Sequence, residues 1–351
     1  MSNIKAANNE DDFIKLVKTL WQSKVKIALC TIFFTVAAIV YAVNAQQWWI
    51  SKAIVTSGQY QNTNNIRSQV ANLVAVVGDY SQFSKMLSSE KLLDDFITQY
   101  NSFNNKKAFI ENNEIMKQYA VSWGVNEENK AQFISNWAKR ISSSQPDKQN
   151  QPSVFELSFE ATSQKLAHDL LSEYIKDTSN KVRNELIGTL KAKIAYDSKL
   201  LNAKKIAMEA QAKLKLNNEL IRTGYALDMA KSANVKKPLI EMNSNEMFQI
   251  ALGTEALTEK KQILNKIKDF NLFQPQLGDI QIKLDIISRI HIDKNVTIQS
   301  VRYLKNANYP ISRDKPKRGL IIALGFLLGL TLSTAFILLD ITRKSKNNDV
   351  M

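Results

Sequence analysis

Two stretches of the chain are apolar without interruption by charge. Residues 27–43 (IALCTIFFTVAAIVYAV) and 319–339 (GLIIALGFLLGLTLSTAFILL) run to about 17 and about 21 residues, within the range that crosses a bilayer core as a helix. Trp21 precedes the first run, and Trp48 and Trp49 follow it, as interfacial aromatic anchors do. Between the runs, alternation and β-branched content predict strands at 52–57 (KAIVTS), 154–161 (VFELSFEA) and 296–303 (VTIQSVRY). In the second, Phe155, Leu157 and Phe159 share one face, and Glu156, Ser158 and Glu160 the other.

Three- and four-residue apolar spacing predicts helices at 66–83, at 88–103 through Leu92, Leu93, Phe96, Ile97 and Tyr100, and at 127–141 through Phe133, Ile134 and Trp137. Ser88 or Ser89 is the expected N-cap of the second. Residues 142–152 (SSSQPDKQNQP) read as a loop. From Thr162 or Ser163 to Val235 the chain has no proline, and glycine only at 188 and 224. Leu166, Leu170, Tyr174, Thr178, Val182, Leu186, Leu190 and Ile194 recur every four residues, and Leu201, Ile206, Leu214 and Leu220 continue less regularly. That pattern predicts one long helix over about 163–235; some 60 residues of it reach on the order of 90 Å. Such a helix projects from its base and needs neighbours to cover its apolar stripe. Lys236-Lys237-Pro238 turns the chain, and 246–270 is expected to run back as a helix.

The lysine bias orients this layout. Lys5, Lys15, Lys18, Lys24 and Lys26 precede the first run, and Lys52 alone lies close behind it. A cytoplasmic N-terminus follows, and a second span returns the C-terminus to the cytoplasm. Arg313, Lys315, Lys317 and Arg318 oppose this at the outer side of the second span; the first helix is expected to dominate. A cleaved signal peptide is the competing reading, with Val43-Asn44-Ala45 as a cleavage site. Against it, the preceding segment is about 26 residues long, carries Glu10, Asp11 and Asp12, and has its own amphipathic pattern in Phe13, Leu16, Val17, Leu20 and Trp21. The resulting fold class is an α+β membrane protein. Residues 1–26 are a cytoplasmic segment, 27–43 and 319–339 transmembrane helices, 44–318 a periplasmic domain, and 340–351 a cytoplasmic tail. The outer two strands lie near the membrane by connectivity, which places a small sheet at the base of that domain.

Composition removes several chemistries. An apolar fraction of 44% and a charged fraction of 23% are ordinary for a folded chain, and the low counts of glycine (10) and proline (6) favour helices. The net charge of +14 suits an anionic partner or, equally simply, a basic surface; no nucleic-acid motif accompanies it. Cys30, inside the first apolar run, is the chain's one cysteine, so neither an intramolecular disulfide nor a thiolate metal site is expected. His168 and His291 each stand singly in what reads as a regular element. No zinc-binding helix, phosphate loop or nucleophile elbow occurs. Asp94 with Asp95, and Glu127 with Glu128, are adjacent pairs that point apart on a helix. The expectation is a protein without catalytic residues, cofactor or metal.

Before the second apolar run the sequence reads Tyr309-Pro310-Ile311-Ser312-Arg313-Asp314-Lys315-Pro316-Lys317-Arg318-Gly319, and within the run Gly325 and Gly329 lie four apart. This resembles the proline- and glycine-rich signature of the Wzz-type chain-length determinants, the polysaccharide co-polymerases of Gram-negative inner membranes. Residues 12–21 (DFIKLVKTLW) are similar to that family's N-terminal segment, and 246–257 (EMFQIALGTEAL) to its interior helix start, with one extra residue before Gly253. The junction has two prolines where some members carry a third. The resemblance implies a periplasmic α/β base with a long projecting helix, a homo-oligomeric ring, and a Wzy-type polymerase as partner. It also implies contact with the growing glycan and control of the modal length of O-antigen or a similar glycan, such as enterobacterial common antigen. About 12 residues follow Leu339, without a Walker motif, so the branch carrying a tyrosine kinase is not expected.

On physical grounds Pro310 and Pro316 stiffen the approach to the span. Gly319 begins the span, and Gly325 with Gly329 forms a small-residue face for another helix. A membrane-anchored sensor would need a cytoplasmic signalling module, and an export adaptor would need lipoyl-like modules; neither is legible here.

Overall fold

The computed structural model describes residues 18, 20–239 and 247–348, with side chains described up to 339. The expected N-terminal amphipathic pattern at Phe13, Leu16 and Val17, the family-like start at Asp12, Glu246, and the last tail residues lie outside the described residues. The chain forms two compact units: the described parts of Met1–Thr56, Ile97–Thr178 and Tyr303–Met351, and those of Ser57–Phe96 and Ser179–Arg302.

In the first unit, helix α1 (Lys24–Asn44) leads into strand β1 (Trp49–Ser57). The helix α4 (Ser89–Asn101) ends there and is followed by α5 (Phe103–Asn112), α6 (Glu114–Ser122) and α7 (Lys130–Ala138). Strands β2 (Ile141–Ser144) and β3 (Val154–Ala161) follow. With β4 (Val301–Lys305) these make a sheet of order β2-β3-β1-β4. Both β1 and β2 pair antiparallel with β3; Trp49 lies opposite Ala161, and Ile141 opposite Phe159. Leu157 and Phe159 turn to the buried face as their alternation predicts. Phe159 sits within ring contact of Phe109 and Trp137, and Phe109 packs edge-on to Tyr174. The Tyr174 hydroxyl donates to the Tyr100 carbonyl (2.7 Å), and the Tyr100 hydroxyl to the Ser158 carbonyl (3.2 Å). Burial drives both phenols above their ordinary pKa.

The second unit holds α2 (Asn64–Val77) and α3 (Tyr80–Met86), the greater part of the long helix α8 (Gln164–Ser232), then α9 (Gly253–Lys266) and α10 (Gln276–Ser288). Helix α8 has 69 residues, about 100 Å of helix at 1.5 Å each. Ser163 caps it by accepting from the Leu166 N–H (3.2 Å). The returning chain lies antiparallel to it. Glu219 meets Lys260 at 2.6 Å, Lys215 meets the Gln274 side chain at 2.9 Å, and Lys205 meets Gln281 at 2.7 Å. Gly253 opens α9 at φ 76°, and a Cβ there would stand 2.8 Å from the Lys236 and Lys237 backbone. Only glycine fits such a turn at such range. Ala226, Leu227, Ala230 and Leu257 close a small core beside it.

Several expectations need correction. The helix predicted at 66–83 is two helices, because the chain turns left-handed at Gly78 (φ 76°) and Asp79 caps the next. Ile141–Ser144 is a strand rather than a helix end and loop, held by pairing with β3. The third strand lies at Val301–Lys305 rather than 296–303. The helix expected over 246–270 occupies only Gly253–Lys266 (α9); a short turn capped by Asp269 follows, and α10 begins beyond the predicted range. Along α8 the four-residue stripe is buried from Leu170 to Leu190, whereas Ile206 and Leu214 are exposed. His291 lies in an irregular segment, not a regular element. Ser88 is the cap of α4, accepting from the Lys91 N–H (3.2 Å).

Candidate functional site: the junction of the apolar helices with the sheet

Helix α11 (Arg318–Asn348) carries the second apolar run and packs antiparallel against α1. Both are long and apolar enough to cross a membrane. Near one end the Arg318 side chain donates to the Ala42 carbonyl (3.1 Å). Further along, Gly325 and Gly329 are buried against α1. A Cβ on Gly325 would collide with the Ala38 Cβ, and one on Gly329 would stand 2.8 Å from the Thr31 Cα and 3.1 Å from the Phe34 Cβ. Two backbones approach closely only where side chains are this small. Gly319 has nothing within 4 Å of where a Cβ would be.

The two segments that join these helices to the sheet are bound to each other. The Trp48 N–H donates to the Lys315 carbonyl (3.0 Å), and the Asp314 N–H to the Trp48 carbonyl (2.8 Å). Upstream, Asn308 clasps β1: its carbonyl accepts from the Ser51 hydroxyl (2.7 Å), and its side-chain oxygen from the Lys52 N–H (2.8 Å). Pro310 is buried and Pro316 half-buried, the latter after a cis peptide bond. Tyr309 stacks on His168 at 3.9 Å between ring centroids. That stack, with a hydrogen bond from His168 to Asp169 (2.9 Å), accounts for the histidine.

Glu160, at the end of β3, is the centre of the junction. Its carboxylate takes the Lys315 ammonium on both oxygens at 3.1 Å and the Arg140 guanidinium at 3.2 Å. Its main-chain N–H donates to the Arg140 carbonyl (3.0 Å). Arg140 in turn lies 3.3 Å above the Trp48 ring, and Trp48 packs edge-on to Trp137. Burial pulls the Arg140 guanidinium below its ordinary pKa, while Glu160 and Tyr119 oppose that. Glu160 is only 8% exposed although strand alternation sets it on the polar face, because two cations compensate its charge.

The anticipated tryptophans divide. Trp21 is 72% exposed, with Lys24 over its ring at 5.5 Å; Trp48 and Trp49 are half-buried within the folded unit. Arg140, Glu160 and Asn308 are site residues that the sequence does not flag. A charge conflict does point there: Lys315 and Arg318 crowd the wrong side of the second run, and such cations call for local partners. Glu160→Ala leaves Lys315 and Arg140 without their carboxylate. It is expected to cost about 1–2 kcal/mol, between an exposed and a fully buried pair, read as a lower melting temperature of the detergent-solubilised chain. Among the described residues no group of three His, Cys, Asp or Glu side chains is placed to hold a metal ion.

Comparison with known proteins places this geometry in a family context. The family model described as "Wzz: Chain length determinant protein" matches residues 9–120. A chain length determinant protein of Escherichia coli is 25% identical over 96% of this chain and 95% of its own length. The ferric enterobactin transport protein FepE of Escherichia coli is 22% identical over 98% of this chain and 93% of its own length. Among solved structures, a full-length bacterial polysaccharide co-polymerase superposes with a TM-score of 0.66 at 23% identity. That match covers 95% of this chain and 98% of the other. The lipopolysaccharide O-antigen chain-length regulator of Shigella flexneri gives 0.55 at 20% identity, over 76% of this chain and all (100%) of its own. These superpositions establish a shared fold.

Proposed function

We propose, from the premise that the chain is a relative of the Wzz-type chain length determinants in sequence and in fold, that it regulates the modal chain length of a surface polysaccharide, lipopolysaccharide O-antigen. In this reading α1 and α11 cross the inner membrane, both termini are cytoplasmic, and residues 44–318 stand in the periplasm. The protein performs no chemical step. It acts as a homo-oligomeric scaffold beside a Wzy-type polymerase and biases how many repeat units are added.

The observation that carries the reading is the extent of the likeness: sequence similarity to a named chain length determinant runs through 96% of the chain, both apolar helices included. Two features of the structure support its details. Lys315 and Arg318 are engaged by Glu160 and by the Ala42 carbonyl, so two of the four cations that oppose the expected orientation have partners within the folded chain. Along α8, Tyr196, Leu200, Ile206 and Leu214 are each more than half exposed, an apolar row that further copies of the chain would cover.

Deletion of the gene tests the function, with surface polysaccharide resolved by length on a gel. The expected result is polymer still made but without its preferred length. Loss of all polymer would point to an enzyme or flippase instead. Loss of preferred length in another glycan, such as enterobacterial common antigen, would move the assignment to that polymer. A defect confined to uptake of ferric enterobactin would point to the activity for which FepE is named.

A further inference from the structure

A cavity of about 220 Å³ opens beside the junction, between the end of α6 and one side of α7. Its wall follows from helical spacing: Gln132, Asn136 and Arg140 succeed one another every four residues and so line one edge of α7 and its continuation. Three indoles complete the lining: Trp48, which lies against the Arg140 guanidinium, Trp123, and Trp137 of α7 itself. Trp137 is buried as a floor. Trp123 is 55% exposed and is held by stacking on Tyr119, with centroids 5.6 Å apart and planes at 29°.

The polar groups in this cavity differ in how they are occupied. Asn129 is spent on its own loop: its oxygen accepts from the Asn126 N–H (2.8 Å) and its amide donates to the Gly124 carbonyl (3.3 Å). Arg140, the one cation in the lining, is already engaged, by the Glu160 carboxylate on one side and the Trp48 ring on the other. The amides of Gln132 and Asn136 have no hydrogen-bond partner among the described residues, and each offers both donors and an acceptor.

A rigid aromatic face set against unoccupied neutral amides matches a ligand that is apolar on its flat side and hydroxylated at its rim. We propose that the cavity binds one pyranose ring of the growing glycan, its C–H face on Trp123 and its hydroxyls on Gln132 and Asn136. The volume lies below the roughly 300–1,000 Å³ that encloses drug-sized ligands, so a single ring is held rather than a whole repeat unit. A phospholipid headgroup would need a free cation, and the lining's Arg140 is already engaged by Glu160 and Trp48. This site deepens the proposed function and rests on it.

The test is saturation-transfer NMR on the full-length protein in detergent. The probe is soluble polysaccharide, a few repeat units long, released from the surface of the producing cell. Wild type is expected to saturate ring C–H protons. Trp123→Ala is expected to abolish the transfer, and the Gln132→Ala/Asn136→Ala pair, on exposed positions that folding does not need, to weaken it about tenfold or more. Both variants are expected to broaden the length distribution in cells. No transfer in wild type would overturn the proposal, as would transfer and length distribution unchanged in both variants, or saturation passing to phospholipid headgroups instead. If deletion removes the preferred length while both variants behave as wild type, the proposed function stands and the cavity assignment falls.

Discussion

Leucine at both Gly325 and Gly329 is expected to push α11 off α1 and to abolish the preferred glycan length while polymer is still made. The reason is steric. A Cβ alone at Gly329 would stand 2.8 Å from the Thr31 Cα, and at Gly325 it would overlap Ala38. The obstacles are backbone and short side chains, which have no rotamer to escape into. Overpacking of this kind costs about 1–3 kcal/mol per site. Within a bilayer little opposes separation, because lipid tails solvate the parted faces as well as a partner helix does. The junction would transmit the shift, since Arg318 reaches Ala42 and Lys315 reaches both Trp48 and Glu160. Gly319→Leu is the internal control: with open space around that position, it should leave the gel ladder unchanged. A wild-type ladder from the double variant would exclude this packing as the basis of function.

Phe159→Ala is expected to produce the largest loss of stability of any single truncation in the sheet-bearing unit. The ring is fully buried and touches both Phe109 and Trp137, so its removal leaves a cavity in the aromatic core under the sheet. The cost is about 3–5 kcal/mol, which corresponds to a fall of roughly 6–20 °C in the melting temperature, measurable by circular dichroism on the solubilised protein. Phe155, half-buried on the same strand, should cost clearly less when truncated. Equal effects at the two positions would mean that the Phe155 end of β3 is covered as deeply as the Phe159 end, contrary to the burial described.

What is legible in the sequence follows from how local each determinant is. The apolar runs, the alternation in Val154–Ala161 and the proline-free stretch after Ser163 are properties of neighbouring residues, and each survives into the structure as an element of the expected kind, although α11 continues to Asn348, past the end of its apolar run. Ile141–Ser144 has a single apolar residue and three serines; it becomes a strand only because β3 offers it an edge. The break after Val77 escapes the periodicity because apolar spacing continues through it to Phe83, while one left-handed glycine redirects the chain. In the junction, Pro310, Pro316, Gly325 and Gly329 are visible from their own chemistry. Glu160 is not: on an alternating strand it reads as solvated, and its partners Arg140 and Lys315 are separated from it in sequence and joined by topology. The same holds for Asn308, whose hold on Ser51 and Lys52 spans most of the chain.

The central claim is that both apolar helices lie in one bilayer and hold the intervening chain outside the cytoplasm. Cys30 lies in α1, so a Cys30→Ala background leaves no native thiol. Lys148→Cys then places a reporter in the exposed segment between β2 and β3. A membrane-impermeant maleimide applied to cells with a permeabilised outer membrane should label it fully while the inner membrane is intact. Labelling that appears only after the inner membrane is lysed would put the sheet in the cytoplasm and contradict the account.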